Sequence, residues 1–545
     1  MSATKENFIR GAAVLAVFGL IGKMLGSVFR IPLTNIIGAQ GMANYQVAYP
    51  VYALLIVVSA SGLPAAVSRM VSERVSTGDW RGARKVFRVS LVSLAIIGAV
   101  SSVLLFSAAS PIARAVKMPS ASVSLMAISP ALLFVSLLSA YRGYFQGLQM
   151  MTPTAVTQLV EQAVKLGAGL LFAFLWSKNG VEYGAAGALL GVALSECCAL
   201  AVIMGVYRKK KRELVSLCAR SANKRPVSTR EILSDLAAIA LPVTIGGCLM
   251  PAVGFADTLI VTNAMASVDY SAYNPLSAGA SFGVLTGSVN PLINMPAVIS
   301  LALCTSLVPA VSEARATRDY AALSRRSAFG LRLSVLIGLP CMAGMFVLAG
   351  PIVSLLYSAG LTPDELAVAE GLLRILSAGV LFLTVLQTMT GILQGAGHQF
   401  IPLFSLCAGA AVKVLLSVVL IRVPALNISG AAIGTSACYV VACALNTAAV
   451  IKYAKPRIRF FSGLAAPSLS AAVMGVFASF LYDALSRFGN TAAALISIAG
   501  AVLVYAAMLL ITGSIKKEDM ELLPGGIIVQ KLMRGIRLSG GRRCG

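Results

Sequence analysis

FIRGAAVLAVFGLIGKMLGSVFRIPLTNII, residues 8–37, is apolar almost end to end yet carries Lys23 and Arg30 inside it. A helix of roughly 20 residues crosses the hydrocarbon core of a bilayer, so this run is long enough to span. It is too long for the apolar part of a secretion signal, although Lys5 and Arg10 stand at its start as they would in one. We read it as an uncleaved first transmembrane helix.

The remainder repeats that pattern. Of 545 residues, 58% are hydrophobic and 12% charged, whereas a soluble domain is about a quarter charged. Too little polar surface remains to cover such a core in water, so lipid is the solvent. Apolar windows bounded by charge, glycine or proline lie near 8–34, 46–69, 86–109, 122–146, 154–176, 184–207 and 233–262. Others follow near 282–310, 328–356, 366–394, 401–421, 429–451, 462–484 and 490–513. The expectation is an all-α polytopic membrane protein with about fourteen transmembrane helices.

The formal charge of +24 would suggest a nucleic-acid partner in a soluble protein. Here the basic residues sort by loop. They crowd the N-terminus, 69–88, 208–230, 315–326, 452–459 and the tail beyond 515. Of the 44, only Arg114, Lys117, Lys178, Arg422 and Arg487 fall in loops of the opposite side. Positive charge stays inside, which puts both termini in the cytoplasm and excludes nucleic acid as a partner.

An internal repeat divides the spans. Gly143-Tyr-Phe-Gln-Gly147 ends the fourth and Gly391-Ile-Leu-Gln-Gly395 the tenth, and Lys165 and Lys413 follow at the same offset. Spans six and twelve open on Gly184-Ala-Ala and Gly430-Ala-Ala, and spans two and eight end in Pro64-Ala-Ala-Val-Ser68 and Pro309-Ala-Val-Ser312. This predicts a six-helix lobe over 1–207, a basic cytoplasmic linker over 208–232 and a second six-helix lobe over 233–452. Two further helices over 453–515 and a basic tail over 516–545 complete the chain. Two lobes of even helix count share an orientation, related by a pseudo-two-fold axis along the membrane normal.

The intramembrane charges carry the functional argument. Lys23 and Arg30 lie almost two turns apart on one face, with Gly19, Gly22 and Gly26 nearly on the same side. Ionised side chains at that depth face a wet cavity or a partner rather than lipid. Glu161 and Lys165 stand in the order that favours an intrahelical ion pair, Lys413 has no such neighbour, and Glu196 is a candidate to neutralise either lysine. Asp257 shares a stripe with Gly246 and Gly254 on a helix interrupted by Pro242 and Pro251. It either binds a coupling proton or sodium ion or pairs with Arg30. Asn290 and Asn294, beside Pro291 and Pro296, suit sugar hydroxyls or interhelical hydrogen bonds.

Other chemistry is missing. No phosphate-binding loop of the Gly-rich Lys-Ser/Thr type occurs, the ten cysteines have no metal-ligand spacing, and His398 falls in a short cytoplasmic turn. No long external loop offers paired carboxylates or a nucleophile with its base, so we expect no enzyme and no cofactor.

Taken together, several motifs resemble one family. They are Gly22-Lys-Met-Leu-Gly-Ser-Val-Phe-Arg-Ile-Pro32, Gly62-Leu-Pro-Ala-Ala-Val-Ser68, Arg142-Gly-Tyr-Phe-Gln-Gly147, Gln158-Leu-Val-Glu-Gln162, Asn294-Met-Pro296 and Leu307-Val-Pro-Ala-Val-Ser312. Their order and spacing, to about residue 515, resemble the polysaccharide-biosynthesis flippases. The likeness is to the stage V sporulation protein B and MurJ-like branch of the multidrug/oligosaccharidyl-lipid/polysaccharide superfamily. That resemblance implies two lobes in a V around a cationic cavity in the bacterial inner membrane. Spans one, two, seven and eight would line it, with two extra helices forming a groove for a lipid tail. It implies as substrate an undecaprenyl-diphosphate-linked sugar such as lipid II, and as partners membrane lipids and proteins of cell-wall synthesis. Lys23 and Arg30 match the family's basic pair of the first helix, where the MurJ pattern has Arg at both and a spacing shorter by one. Arg69 matches a further basic cavity residue. The arginine expected in span eight has no counterpart, since 282–310 holds no Arg or Lys; Lys413 or Lys165 would have to replace it. The driving force is left open among membrane potential, H+ and Na+, and a cation-coupled drug exporter or a non-transporting scaffold stand as alternatives.

Overall fold

The computed structural model describes residues 18–19, 21–22, 24–26, 28–219, 228–268, 270, 274–456 and 464–513. Lys23, the N-terminus, the middle of the predicted linker and the basic tail lie outside them. Among the described residues there is no β-strand, and 13 helices are long and apolar enough to cross a membrane. Lipid offers backbone groups no partners, so a spanning segment satisfies its own N–H and C=O groups by coiling.

In chain order the helices are α1 (Arg30–Ile56), α2 (Gly62–Ser76), α3 (Trp80–Ala115), α4 (Ala121–Ile128), α5 (Ala131–Gly147), α6 (Thr152–Ser177) and α7 (Val181–Ala219). Next come α8 (Thr229–Ala266), α9 (Ala278–Gly283), α10 (Asn290–Ala316), α11 (Tyr320–Val347) and α12 (Ala349–Tyr357). The last are α13 (Pro363–Gly395), α14 (Phe400–Ile421), α15 (Ser429–Tyr453), α16 (Ala466–Leu485) and α17 (Asn490–Ile511). Wider π-type turns at Val57–Ser61 and Val284–Val289 join α1 to α2 and α9 to α10.

The first continuous helical stretch, Met24–Ser76, contains 53 residues, far more than one crossing needs. It breaks at Gly38, whose φ of 65° and ψ of −175° lie off the helical path. Along an unbroken helix residues 30 and 49 would be about 28 Å apart, yet the Arg30 guanidinium lies 5.7 Å from the Tyr49 ring centre. The two arms therefore fold back on each other at Gly38, and counting them separately gives fourteen spans. Glycine is needed there because a side chain resists that φ. The expected boundaries left residues 35–45 between spans. They are instead helical on both sides of Gly38, with Ile37, Met42, Ala43 and Tyr45 buried. A single glycine turns the chain, so no longer loop is required.

Helix surfaces are apolar where they leave the protein. On α3, Val92, Ile96, Val100 and Val103 are exposed while Leu94, Ser101, Leu105 and Ala109 are buried. Water would penalise that arrangement and hydrocarbon does not.

The chain forms two compact units. The first comprises Met1–Met295 with Leu356–Ala369 and Val414–Ala431; the second comprises Pro296–Leu355, Glu370–Lys413 and Ala432–Gly545. The first thus also takes in α8, which the repeat assigns to the second lobe.

Each unit contains the same helix crossing. In the first, a Cβ on Gly143 would lie 2.8 Å from the Pro64 carbonyl oxygen, and one on Gly147 2.7 Å from that of Ser68. In the second, Gly391 and Gly395 stand in the same relation to Cys304 and Val308, at 3.0 and 2.7 Å. Core side chains correspond as well. Val67, Val71, Ala83, Leu138 and Phe145 share one cluster; Leu307, Val311, Leu323, Leu386 and Leu393, in the equivalent places about the second crossing, share another. The crossing equates Pro64 and Ser68 with Cys304 and Val308, which shifts the expected match of Pro64–Ser68 to Pro309–Ser312 by about one helical turn. The turns that follow match too. Asp79 caps α3 by accepting from the Gly82 N–H at 2.9 Å, and Asp319 caps α11 by accepting from the Ala322 N–H at 2.8 Å. Backbones that touch leave no room for a side chain, so Gly147→Val and Gly395→Val should each cost about 1–3 kcal/mol. Thermal melting of the purified protein checks this; unchanged melting in both variants would mean the crossings do not hold the helices.

Helices α16 and α17 pack together within the second unit, burying Ala471, Met474, Ala478, Ala501 and Tyr505 against Leu339 of α11. The Tyr505 hydroxyl donates to the Leu336 carbonyl at 3.0 Å. His398, expected to be a solvated turn residue, is half-buried with its ring 3.9 Å from that of Tyr453. The end of α15 runs past the turn and covers it.

Candidate functional site

Tyr45, Tyr49 and Tyr52 sit on one face of the second arm of α1, because residues three and four apart share a face. Their rings follow one another at 6.0 and 6.3 Å. Tyr45 and Tyr52 are buried and Tyr49 is half-buried. The turn at Gly38 brings Arg30 of the first arm against this ladder, its guanidinium 5.7 Å from the Tyr49 ring centre. From α6, Lys165 reaches the same place. Its ammonium lies 5.8 Å from the Tyr49 ring and 5.4 Å from that of Phe29. Two cations from separate helices thus share one aromatic ring. Each contact is of the cation–π kind, and the ring faces partly offset the repulsion between the charges.

This corrects the expected pairing of Lys165. The salt bridge of Glu161 runs to Arg142 of α5, Nη2 to Oε2 at 3.1 Å, with both side chains about four-fifths buried. The Arg142 Nε also donates to the Thr157 hydroxyl at 3.2 Å. An exposed i, i+4 pair contributes only a few tenths of a kcal/mol. A guanidinium that crosses from the next helix, with its own hydrogen bonds, readily outcompetes it. Lys165 is left to the aromatic rings. Glu196 of α7 is buried, 6% exposed.

Close packing sets this geometry. Gly191 of α7 rests on the backbone of Gly169 of α6, and a Cβ on Gly187 would lie 2.5 Å from the Phe172 carbonyl oxygen. Helices α6 and α7 thus meet backbone to backbone at these glycines. On the other side, a Cβ on Gly22 or Gly26 of the first arm would lie 3.4 or 3.7 Å from the Gln162 side chain.

The remaining expected residues are placed elsewhere. Arg69 is exposed, and its guanidinium is held by Glu73 one turn on, at 2.8 Å. Asn294 is exposed and donates back to the Asn290 carbonyl of its own helix at 2.8 Å, while Asn290 is half-buried. Asp257 is half-buried on α8, in the first unit with Arg30. Lys413 is half-buried and belongs to the second unit. Sequence reasoning passed over Arg142 and the tyrosine ladder. Arg142 looked like a loop cation, and the Tyr45, Tyr49, Tyr52 spacing was the signal available for the ladder.

Comparison with known proteins supplies the class. The profile of the family described as polysaccharide biosynthesis protein matches residues 8–315, and that described as MatE matches residues 242–419. Stage V sporulation protein B of Bacillus subtilis is 26% identical over 535 residues, 96% of this chain and all of that protein. Lipid II flippase MurJ of the same organism is 28% identical over 447 residues, 80% of this chain and 81% of that one. A solved structure of lipid II flippase MurJ in an inward closed conformation superimposes with a TM-score of 0.68 at 14% identity. It covers 92% of this chain and 98% of that one. An all-helical fold, a full-length match to proteins of this kind and charges buried among the spans agree. The chain belongs to the polysaccharide biosynthesis protein family, as a multi-pass membrane transporter of the superfamily that includes MurJ and the MATE proteins.

Proposed function

We propose that this protein is a flippase that moves an undecaprenyl-diphosphate-linked sugar precursor, of the lipid II type, from the inner to the outer leaflet. The observation that carries the reading is the convergence of Arg30 and Lys165 on Tyr49 inside a membrane-spanning unit. An anionic, sugar-bearing headgroup cannot enter hydrocarbon unaided. A pair of half-buried cations replaces part of its lost hydration while the polyprenyl tail stays in lipid. Arg30 and Lys165 bind the diphosphate in this scheme, Lys23 extends the cationic face, and Asn290 and Asn294 take sugar hydroxyls. Arg69 and Lys413 guide the headgroup in from the cytoplasmic side and through the second unit. Access alternates between the two sides of the membrane, and both termini stay in the cytoplasm.

The membrane potential drives this cycle. With the inside negative, outward movement of a diphosphate is favoured by about 2.3 kcal/mol per charge per 100 mV. Reconstituted protein should therefore move labelled lipid-linked precursor outward under an imposed potential and stop when the potential alone is collapsed. Undiminished transport after collapse, with ion gradients kept, would reject the potential as the driving force.

The match of residues 242–419 to the MatE profile keeps a drug exporter as the second reading. Cationic drugs need an anionic or apolar pocket, whereas Arg30 and Lys165 supply positive charge. Scoring lipid-linked precursors against cationic dyes in the same vesicles separates the two. Transport of dye alone would overturn the flippase reading.

A further inference from the structure

We propose that the ends of α3 and α7 that carry Arg88 and Arg208–Arg212 bind an anionic bilayer phospholipid, at a site separate from the cations around Tyr49. Helix α3 has 36 residues and α7 has 39, about 54 and 58 Å at 1.5 Å per residue. Hydrocarbon accounts for about 30 Å of that. Both helices therefore run well past it.

Their exposed stripes mark the point of exit. On α3, Val92, Ile96 and Val100 are exposed at a spacing of four. Arg88, also exposed, stands one turn before them on the same face. On α7, Leu194, Ala201, Arg208 and Val215 are exposed at a spacing of seven, which is almost two turns, and exposed Arg212 lies one turn on from Arg208. Each stripe thus changes from apolar to cationic. The two changes occur at one height, because Phe87 and Tyr207, the residues just before Arg88 and Arg208, have rings 5.2 Å apart. Tyr141 joins them, its ring 5.5 Å from that of Tyr207. Aromatic rings gather at the boundary between membrane and water, and cations directly beyond them lie at the level of the lipid phosphates.

This end of α7 is seated, not free. Leu214 is buried in one cluster with Val71, Ala83 and Val86. The Arg81 Nε donates to the Cys218 carbonyl at 3.0 Å, and the Cys218 thiol donates to the Trp80 carbonyl at 3.4 Å. The cations are held in place before any ligand arrives. Residues 80–95 and 201–219 contain a single acid, Glu213. Arg88, Arg208, Lys209, Lys211 and Arg212 are all exposed, and among the described residues none of the five joins an ion pair. A lipid phosphate at that height supplies the counter-charge while its acyl chains lie along Val92, Ile96 and Val100. A soluble anion has no use for that apolar stripe. A zwitterionic lipid brings its own cation to the same place, so the surface selects lipids with net negative charge.

The leaflet concerned is the one beside the basic loops, the inner leaflet in the topology proposed above; the site itself does not depend on the flippase reading. Spin-labelled phosphatidylglycerol and phosphatidylcholine, each added to the full-length protein in phosphatidylcholine vesicles, report the lipid immobilised on its surface. Phosphatidylglycerol should associate about fivefold more strongly, the equivalent of one well-placed cation, and high salt should reduce the difference. Arg88→Gln, Arg208→Gln and Arg212→Gln combined should remove most of the preference, with thermal melting to verify folding. Arg30→Ala with Lys165→Ala should keep it. Equal association of the two lipids with the unaltered protein overturns the site, and binding of polyglutamate in that case assigns the surface to an acidic protein segment instead. A folded triple variant with its preference intact also overturns it. If the preference is lost only with Arg30 and Lys165, the lipid occupies the transport site and the proposal fails.

Discussion

Replacing Arg30 and Lys165 together by alanine is expected to reduce translocation of a lipid-linked diphosphate by roughly 10²–10⁴-fold. Hydrogen bonds to charged groups contribute about 1.5–3 kcal/mol each, and removing one from each cation at once corresponds to that range. The two cations should be partly redundant, because both lie within 6 Å of the same Tyr49 ring centre, at 5.7 and 5.8 Å. Each single variant should therefore lose less than its share, and Arg30→Lys less still. Lys178, which lies over Phe174 at 5.7 Å, is a suitable control cation, and Lys178→Ala should transport normally. Flipping of labelled precursor in proteoliposomes measures every one of these variants, with melting temperature to verify folding. A double variant that is folded and fully active would exclude the site.

The second large effect is expected on stability. Arg142→Leu removes the guanidinium bonded to Glu161 and Thr157 and leaves two glutamates among helices without it. Breaking a buried pair from one side costs about 3–5 kcal/mol, because the remaining charge is uncompensated. Glu161→Gln in the same chain should recover much of that loss, since a neutral amide needs no counter-charge. Melting curves of the two single variants and the double variant give the coupling directly. Independent, additive effects would show that the Arg142–Glu161 bridge does not hold α5 to α6.

The pairing of Glu161 shows where reading a sequence stops. Glu161 and Lys165 are in the right order and spacing for a pair along one helix, and nothing local argues against it. The choice of Arg142 depends on which face of α5 meets α6, and that is set by glycines whose partners lie far away in the chain. The cation–π contacts of Lys165 follow from the same rearrangement. Gly38 is a comparable case: the sequence placed a connection somewhere within 35–45, and only the left-handed φ of 65° shows that this one glycine makes the turn.

What the sequence determined by itself was what depends on composition and period. Apolar runs with few charges required spanning helices, because hydrocarbon leaves the backbone no other way to satisfy its polar groups. The Gly143/Gly147 and Gly391/Gly395 motifs marked an internal repeat, and each unit sets its pair at a helix crossing, where touching backbones need small residues. The cation Arg30 could be singled out because charge within a span is too costly to be incidental. The tertiary structure alone decided which charges meet. It set Arg30 and Lys165 on one ring and Glu161 with Arg142. Those contacts join different helices, and their energies depend on separations of a few ångströms that no local pattern encodes.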